Sequence, residues 1–194
     1  MDTYMLKGRC EGDAFYALLD TCFEYGDRFS LRYEDGLSLE SVHPLEVELA
    51  PYLIKRLTVD QWFGYYNVPG CPRAPILTQC IFQAIPVTQK LLTEYCSDIF
   101  FTREREENRY KRPLFCYQDL CFFRKQQLLL GTISHKETAF IYPPNDNFLI
   151  DLLNAGRWVE ADFPPQPQLK FELYDGCSIA HINSRKSGQA KELD

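Results

Sequence analysis

The spacing of apolar residues changes several times along the chain, and each change marks an expected element. Tyr4–Cys10 reads as a first strand. Gly12-Asp13 then opens a helix to about Tyr25, with Asp13 as its cap and Phe15, Leu18, Leu19, Cys22 and Phe23 at three- and four-residue spacing. Gly26 is placed to end it. Phe29, Leu31 and Tyr33 alternate with polar residues, the pattern of a strand with one buried face, and Asp35-Gly36 signals a turn. Leu45, Val47 and Leu49 alternate too, yet Glu46 and Glu48 fit a helix as well. From Pro51 the pattern is helical, since Tyr52, Leu53, Leu57 and Trp62 can share a face. Thr58-Val59-Asp60-Gln61 has the form of a capping box that restarts a short helix.

Gly64–Pro72 is an aromatic, Pro/Gly-rich loop, and residues 76–85 are an apolar run that suits either strand or helix. Pro86-Val87-Thr88 leads a helix through Leu91, Leu92 and Tyr95, and Ser97–Thr102 reads as a strand. The charged stretch 103–112 fits a solvated hairpin tip or a short exposed helix. Leu114–Phe123, Gln127–Ser134 and Thr138–Tyr142 are short, aromatic-rich and split by turn residues, which predicts an antiparallel meander. Asn145 or Asp146 caps a helix through Phe148, Leu149, Leu152 and Leu153, ended by Gly156. Trp158–Phe163 reads as a strand, and 164–167 as a stiff proline-rich connector. Leu169–Tyr174 and Ser178–Ile182 form an expected hairpin around Asp175-Gly176. Helices and strands are mixed rather than alternating. That predicts a single α+β domain over 1–183, with a mainly antiparallel sheet packed with several helices, and a polar, mobile tail over 184–194.

Composition narrows the class. A chain of 194 residues, 45% hydrophobic and 25% charged, can build a core without staples. The eight cysteines sit mostly inside apolar runs. With no apparent secretory signal, they read as reduced, buried thiols of a cytoplasmic protein. No apolar run is long enough to span a membrane. The formal net charge of −6 disfavours nucleic acid and anionic lipid, and suits a basic protein partner.

The sequence carries no motif specific to a reaction. Its ten glycines are scattered singly, so no phosphate-binding loop is present and no cofactor is expected. The three histidines stand apart and no Cys-x-x-Cys occurs, so no metal site is expected. Cys177 and His181 are four apart, which on a strand is roughly 13 Å, too far to share one zinc. Cys177 follows the Asp175-Gly176 turn near His181 and is the cysteine best placed to be a reactive thiol; a cysteine that merely begins an edge strand is the simpler account, since a lone Cys with scattered His is an unspecific signal. Glu160 and Asp162 would share a strand face and could bind a cation, or simply be the wet side of a sheet.

The aromatic loop is the most distinctive feature. Trp62, Phe63, Tyr65 and Tyr66 fall within five residues. Aromatic side chains on a loop serve as anchors for a partner or line a pocket, or they fold back onto the core. The leading expectation is a non-enzymatic, cytoplasmic protein-binding module that occludes its partner, as inhibitors and immunity-type proteins do, with Trp62, Tyr65 and Tyr66 as contact residues. The alternatives are a small-ligand binder or enzyme assembled from Cys177, His181, His135 and the Glu160/Asp162 pair, and a structural subunit of a larger assembly.

Overall fold

The computed structural model describes residues 3–34, 42–59, 62–64, 77–107, 115–161, 168–169 and 182–183. Eight strands form one antiparallel sheet: β1 (Thr3–Leu6), β2 (Arg28–Tyr33), β3 (Leu53–Val59), β4 (Leu77–Gln83), β5 (Tyr117–Arg124), β6 (Gln127–Ile133), β7 (Thr138–Ile141) and β8 (Trp158–Ala161). Their spatial order is β3-β4-β2-β5-β6-β7-β1-β8. Two short strands, β9 (Gln168–Leu169) and β10 (Ile182–Asn183), pair with each other, and β9 joins β6 at Gln127. The described α-helices are α1 (Asp13–Tyr25), α2 (Pro44–Leu49), α3 (Pro86–Tyr95), α4 (Thr102–Glu107) and α5 (Asp146–Asn154). The expected α+β class with a mainly antiparallel sheet is the observed one, and the meander β5-β6-β7 is its best-forecast part.

Local chemistry explains the helix ends. Asn145 Oδ1 accepts from Phe148 N at 2.9 Å, capping α5. In α3, Pro86 occupies the first turn, and Thr88 Oγ1 accepts from Ile85 N at 3.1 Å while donating to Gln83 O at 2.8 Å. Asp13 does not cap α1 as expected. Gly12 holds that position at φ 57, and Asp13 lies in the first turn, where its charge faces the positive helix end.

Two expected elements are corrected. Residues 53–59 form a strand, not a helix: buried Leu57 and Val59 alternate with exposed Arg56 and Thr58, and the β-branched residues Ile54, Thr58 and Val59 favour the extended chain. The helix lies earlier, in α2, where Leu45 and Leu49 are buried one turn apart. Ser97–Thr102 is not a strand but a turn with one bridge, Glu11 to Asp98. Its cause is Asp98, whose carboxylate accepts from Phe100 N, Thr102 N and Arg103 N at 2.8, 3.1 and 3.2 Å. These local bonds take the place of a ladder and start α4.

The sheet buries both faces. Helices α1, α2, α3 and α5 cover one, packing Phe15, Leu18, Leu49, Leu92 and Phe148 against Phe29, Leu31, Phe82 and Phe122. On the other face Leu57, Val59, Leu77, Ile81, Phe123, Ile133, Phe140 and Tyr142 form a second cluster with Trp62 and Phe63. Hence β2, expected to bury one face, buries Phe29, Ser30 and Leu31 in succession. The segment Trp62–Gly64 crosses this second face. A Cβ on Gly131 would lie 2.6 Å from the Phe63 ring, and one on Gly64, at φ 79, would lie 2.4 Å from Ile133. Both glycines are therefore required by close approach.

Gly131→Ala should destabilise the fold by about 1–3 kcal/mol through overpacking against Phe63. Phe63→Leu should recover part of that loss when the two are combined. A double-mutant cycle read by urea unfolding checks the coupling; additive costs would show that the two residues do not meet.

Candidate functional site

Of the expected contact residues, the structure describes Trp62. Trp62 is fully buried, edge-on to Phe123 at 6.2 Å. Burial pushes the neighbouring Cys121 thiol up to about 12, a rise that the Trp62 side chain partly offsets. Trp62 thus packs in the core: the sheet's second face needs cover, and the indole supplies it. Tyr65, Tyr66, Asp162, Cys177 and His181 lie outside the described residues. His135 is exposed on the turn after β6, and Glu160 is exposed on β8, with β7 and β1 between those strands. The structure does not bring these two together.

What it does assemble at the end of β2 and β5 is a buried polar cluster. Arg32 Nε donates to Asp119 Oδ2 at 2.6 Å, and its terminal nitrogen donates to Gln118 Oε1. Gln118 in turn donates to Glu34. Ser134 N donates to Asp119 Oδ1 at 2.7 Å, while Ser134 Oγ accepts from Asp119 N at 3.0 Å. Asp119 is fully buried and sits at φ 52, in the left-handed region, where the register of β2 with β5 shifts. Aspartate tolerates that conformation better than most residues, and the bulge turns its carboxylate toward Arg32. Directly across from Arg32 on β4, Gln79 is fully buried and its amide makes no hydrogen bond. A sequence signal for this cluster existed: Gln118 and Asp119 interrupt the otherwise apolar run Leu114–Phe123, and such residues are seldom buried unpaired.

A second group lines a cleft of about 300 Å³ beside α3 and α4, including Tyr16, His43, Tyr95, Ser97, Arg103 and Glu104. His43 caps α2, its Nδ1 accepting from Leu45 N at 3.2 Å. The ring is packed edge-on by Phe115 and Tyr95 at 5.1 and 5.9 Å. Burial lowers its pKa, favouring the neutral imidazole that the cap requires. Glu104 Oε1 accepts from Ser97 N and Oγ at 2.8 and 2.9 Å, and burial raises its carboxyl, with Asp98 adding to the rise.

The third feature is apolar and exposed. Val42, Val47, Leu53 and Ile54 are 48%, 59%, 37% and 38% accessible, and all lie between the approach to α2 and the start of β3. The Arg56–Glu46 ion pair at 3.8 Å sets α2 beside β3. Among the described residues no group of three or more His, Cys, Asp or Glu gathers as a metal would need, and no helix is long and apolar enough to cross a membrane. The chain matches no protein-family model, no curated protein and no solved structure.

Removing one partner of a buried ion pair strands the other. Asp119→Ala should therefore cost about 3–5 kcal/mol, and Asp119→Asn, which keeps an acceptor for Ser134 N and tolerates positive φ, distinctly less. Chemical denaturation of both variants checks this; equal costs would assign the loss to the missing charge rather than to the acceptor or the backbone strain.

His43 predicts a pH dependence. Its folded pKa is lowered, so its contribution is present above the ordinary value of 6.5 and is lost as pH falls through the folded value. The cap at stake contributes about 1 kcal/mol. Melting temperature should fall more steeply below about pH 6.5 in the native protein than in His43→Asn, which caps without titrating. Parallel curves from pH 8 to pH 5 would show that the imidazole does not carry the cap.

Proposed function

We propose that this chain is a non-enzymatic protein-binding module that occludes a partner, with its contact surface along α2 and the edge strand β3. What carries the reading is one observation: Val42, Val47, Leu53 and Ile54, four of the seven exposed large apolar residues described, fall between the approach to α2 and the start of β3, whereas the other three, Val87, Ile150 and Leu153, lie on other helices. Grouped apolar exposure beside an edge strand supports docking of another chain. Six described cysteines are free and five of them are buried, which suits a reducing compartment such as the cytoplasm. The net charge of −6 favours a basic partner at long range.

A second reading draws on the cleft beside α3 and α4. A lowered imidazole and a raised carboxyl lining one cleft are the pairing that acid–base sites and ligand pockets use. A ligand that binds the folded state there would raise the melting temperature, and His43→Ala would abolish that rise.

The test of the main reading is capture from native-host lysate with the full chain and with Val47→Asp/Ile54→Asp. Both substitutions fall on exposed side chains, so circular dichroism and melting temperature should change little. One stoichiometric partner lost in the double variant is the expected result. Equal recovery with both proteins would remove this surface from the interface.

A further inference from the structure

We propose that the outer face of α5, with α1 beside it, docks a basic amphipathic helix of a partner protein. The proposal extends the protein-binding reading and rests on it only for the partner being a protein. Helices α1 and α5 lie side by side: the Tyr25 ring stands edge-on to Phe148 at 5.2 Å, and its hydroxyl donates to Asp151 Oδ2 at 3.5 Å. Each helix turns an apolar stripe inward, with Phe15, Leu18, Leu19 and Cys22 buried on α1 and Phe148 and Leu152 on α5. Two further large apolar residues of α5 face water instead. Ile150 is 56% and Leu153 43% accessible. Three apart on a helix, they are surface neighbours and form one apolar seat on its solvent side.

Charge names the occupant. Helices α1, α2, α3 and α5 together carry eight acidic residues and one basic residue, Lys90, a balance of −7 in a chain of net charge −6. The excess negative charge of the chain therefore lies on its helical side. Asp146 and Asp151 on α5 and Asp20 and Glu24 on α1 are all exposed. The ion pairs among the described residues use Asp27, Asp119 and Glu46 and leave these four out. Asp151 and Asp20 accept from Tyr25 and from Gln89 Nε2, neutral donors that leave their charge in place. The Tyr25 phenol is raised, by burial first and then by Asp151 and Glu24. None of the four helices has a basic residue in its last turn, so their negative dipole ends add to the same sign. A surface of this sign repels nucleic acid, anionic lipid and a second copy of itself. A row of Lys or Arg matches it, and an apolar stripe at three- and four-residue spacing on the same partner helix seats on Ile150 and Leu153.

The probes are two end-capped fourteen-residue helical peptides with the same Leu stripe, one with Lys and one with Glu on the polar face. Each is titrated into the isotope-labelled full chain, with affinity read by anisotropy at low and physiological salt and location by backbone amide shifts. The Lys peptide should bind about tenfold more tightly than the Glu peptide, with the largest shifts in α1 and α5. Ile150→Ser/Leu153→Ser and Glu24→Gln/Asp151→Asn should each weaken the Lys peptide about fivefold, and the second should also flatten the salt dependence. Glu137→Gln/Glu160→Gln removes two exposed charges away from these helices and should leave affinity within about twofold. All three variants change exposed side chains, so melting temperature should hold. Absence of binding, equal binding of both peptides, equal weakening by Glu137→Gln/Glu160→Gln, or shifts confined to residues outside α1 and α5 would each overturn the proposal. If it fails while Val47→Asp/Ile54→Asp still loses its lysate partner, the protein-binding reading stands on α2 and β3 alone. If both results are negative, both readings fall.

Discussion

The rest of this structure depends on covering the second face of the sheet. Four helices seal one face, and a sheet whose central strands are apolar on both sides must also keep water from the other. Trp62 and Phe63 meet part of that need by lying across β5, β6 and β7. The consequences reach far from the segment itself. Gly131 has no side chain because the Phe63 ring occupies its space, and Gly64 takes a positive φ so that the chain can pass Ile133. Burying two aromatic side chains of this size contributes several kcal/mol, which decides their fate against exposure.

Charge inside the fold is placed where strand geometry breaks. Arg32 and Asp119 approach to 2.6 Å at the register shift between β2 and β5, and Ser134 closes the other side of the carboxylate. A buried ion pair need not add stability over an apolar substitute, so its value lies in what it fixes. It fixes the alignment of three strands, because Asp119 on β5 bonds both Arg32 on β2 and Ser134 just past β6. A slip of one residue would turn apolar side chains to the wrong face and separate the pair, so the two constraints act together.

The legible parts of the sequence are those where a local pattern has only one outcome. Helix α1 follows from its apolar stripe, α5 from Asn145 and the spacing of Phe148 and Leu152, and the meander from three short runs divided by turns. Strand β3 was illegible because Tyr52, Leu53 and Leu57 follow helical spacing as well as Leu57 and Val59 follow that of a strand; the choice was made by pairing with β4, which sequence spacing does not contain. Trp62 adjoins a stretch with loop character, and the fold turns it inward onto the sheet. The Arg32–Asp119 cluster joins residues far apart in the chain, and only register brings them together. His43 showed as a lone histidine; its capping role depends on the backbone turning into α2 at Pro44.

The two ends of the described strand order are treated differently. At β8 the strand is four residues long, Trp158 is buried and Glu160 is the exposed member, all features that discourage another chain from pairing there. At β3 the strand is seven residues long, its bulge is confined to the first residues, and Leu53 and Ile54 stay in contact with water. Lys55 and Arg56 are themselves a common guard against indiscriminate pairing, since a cationic strand repels most apolar edges only weakly but requires that its charges stay solvated or matched. Guarding by charge differs from guarding by shortness. The two edges thus differ in how pairing is limited, β8 by its four-residue length and β3 by cationic side chains on a longer strand.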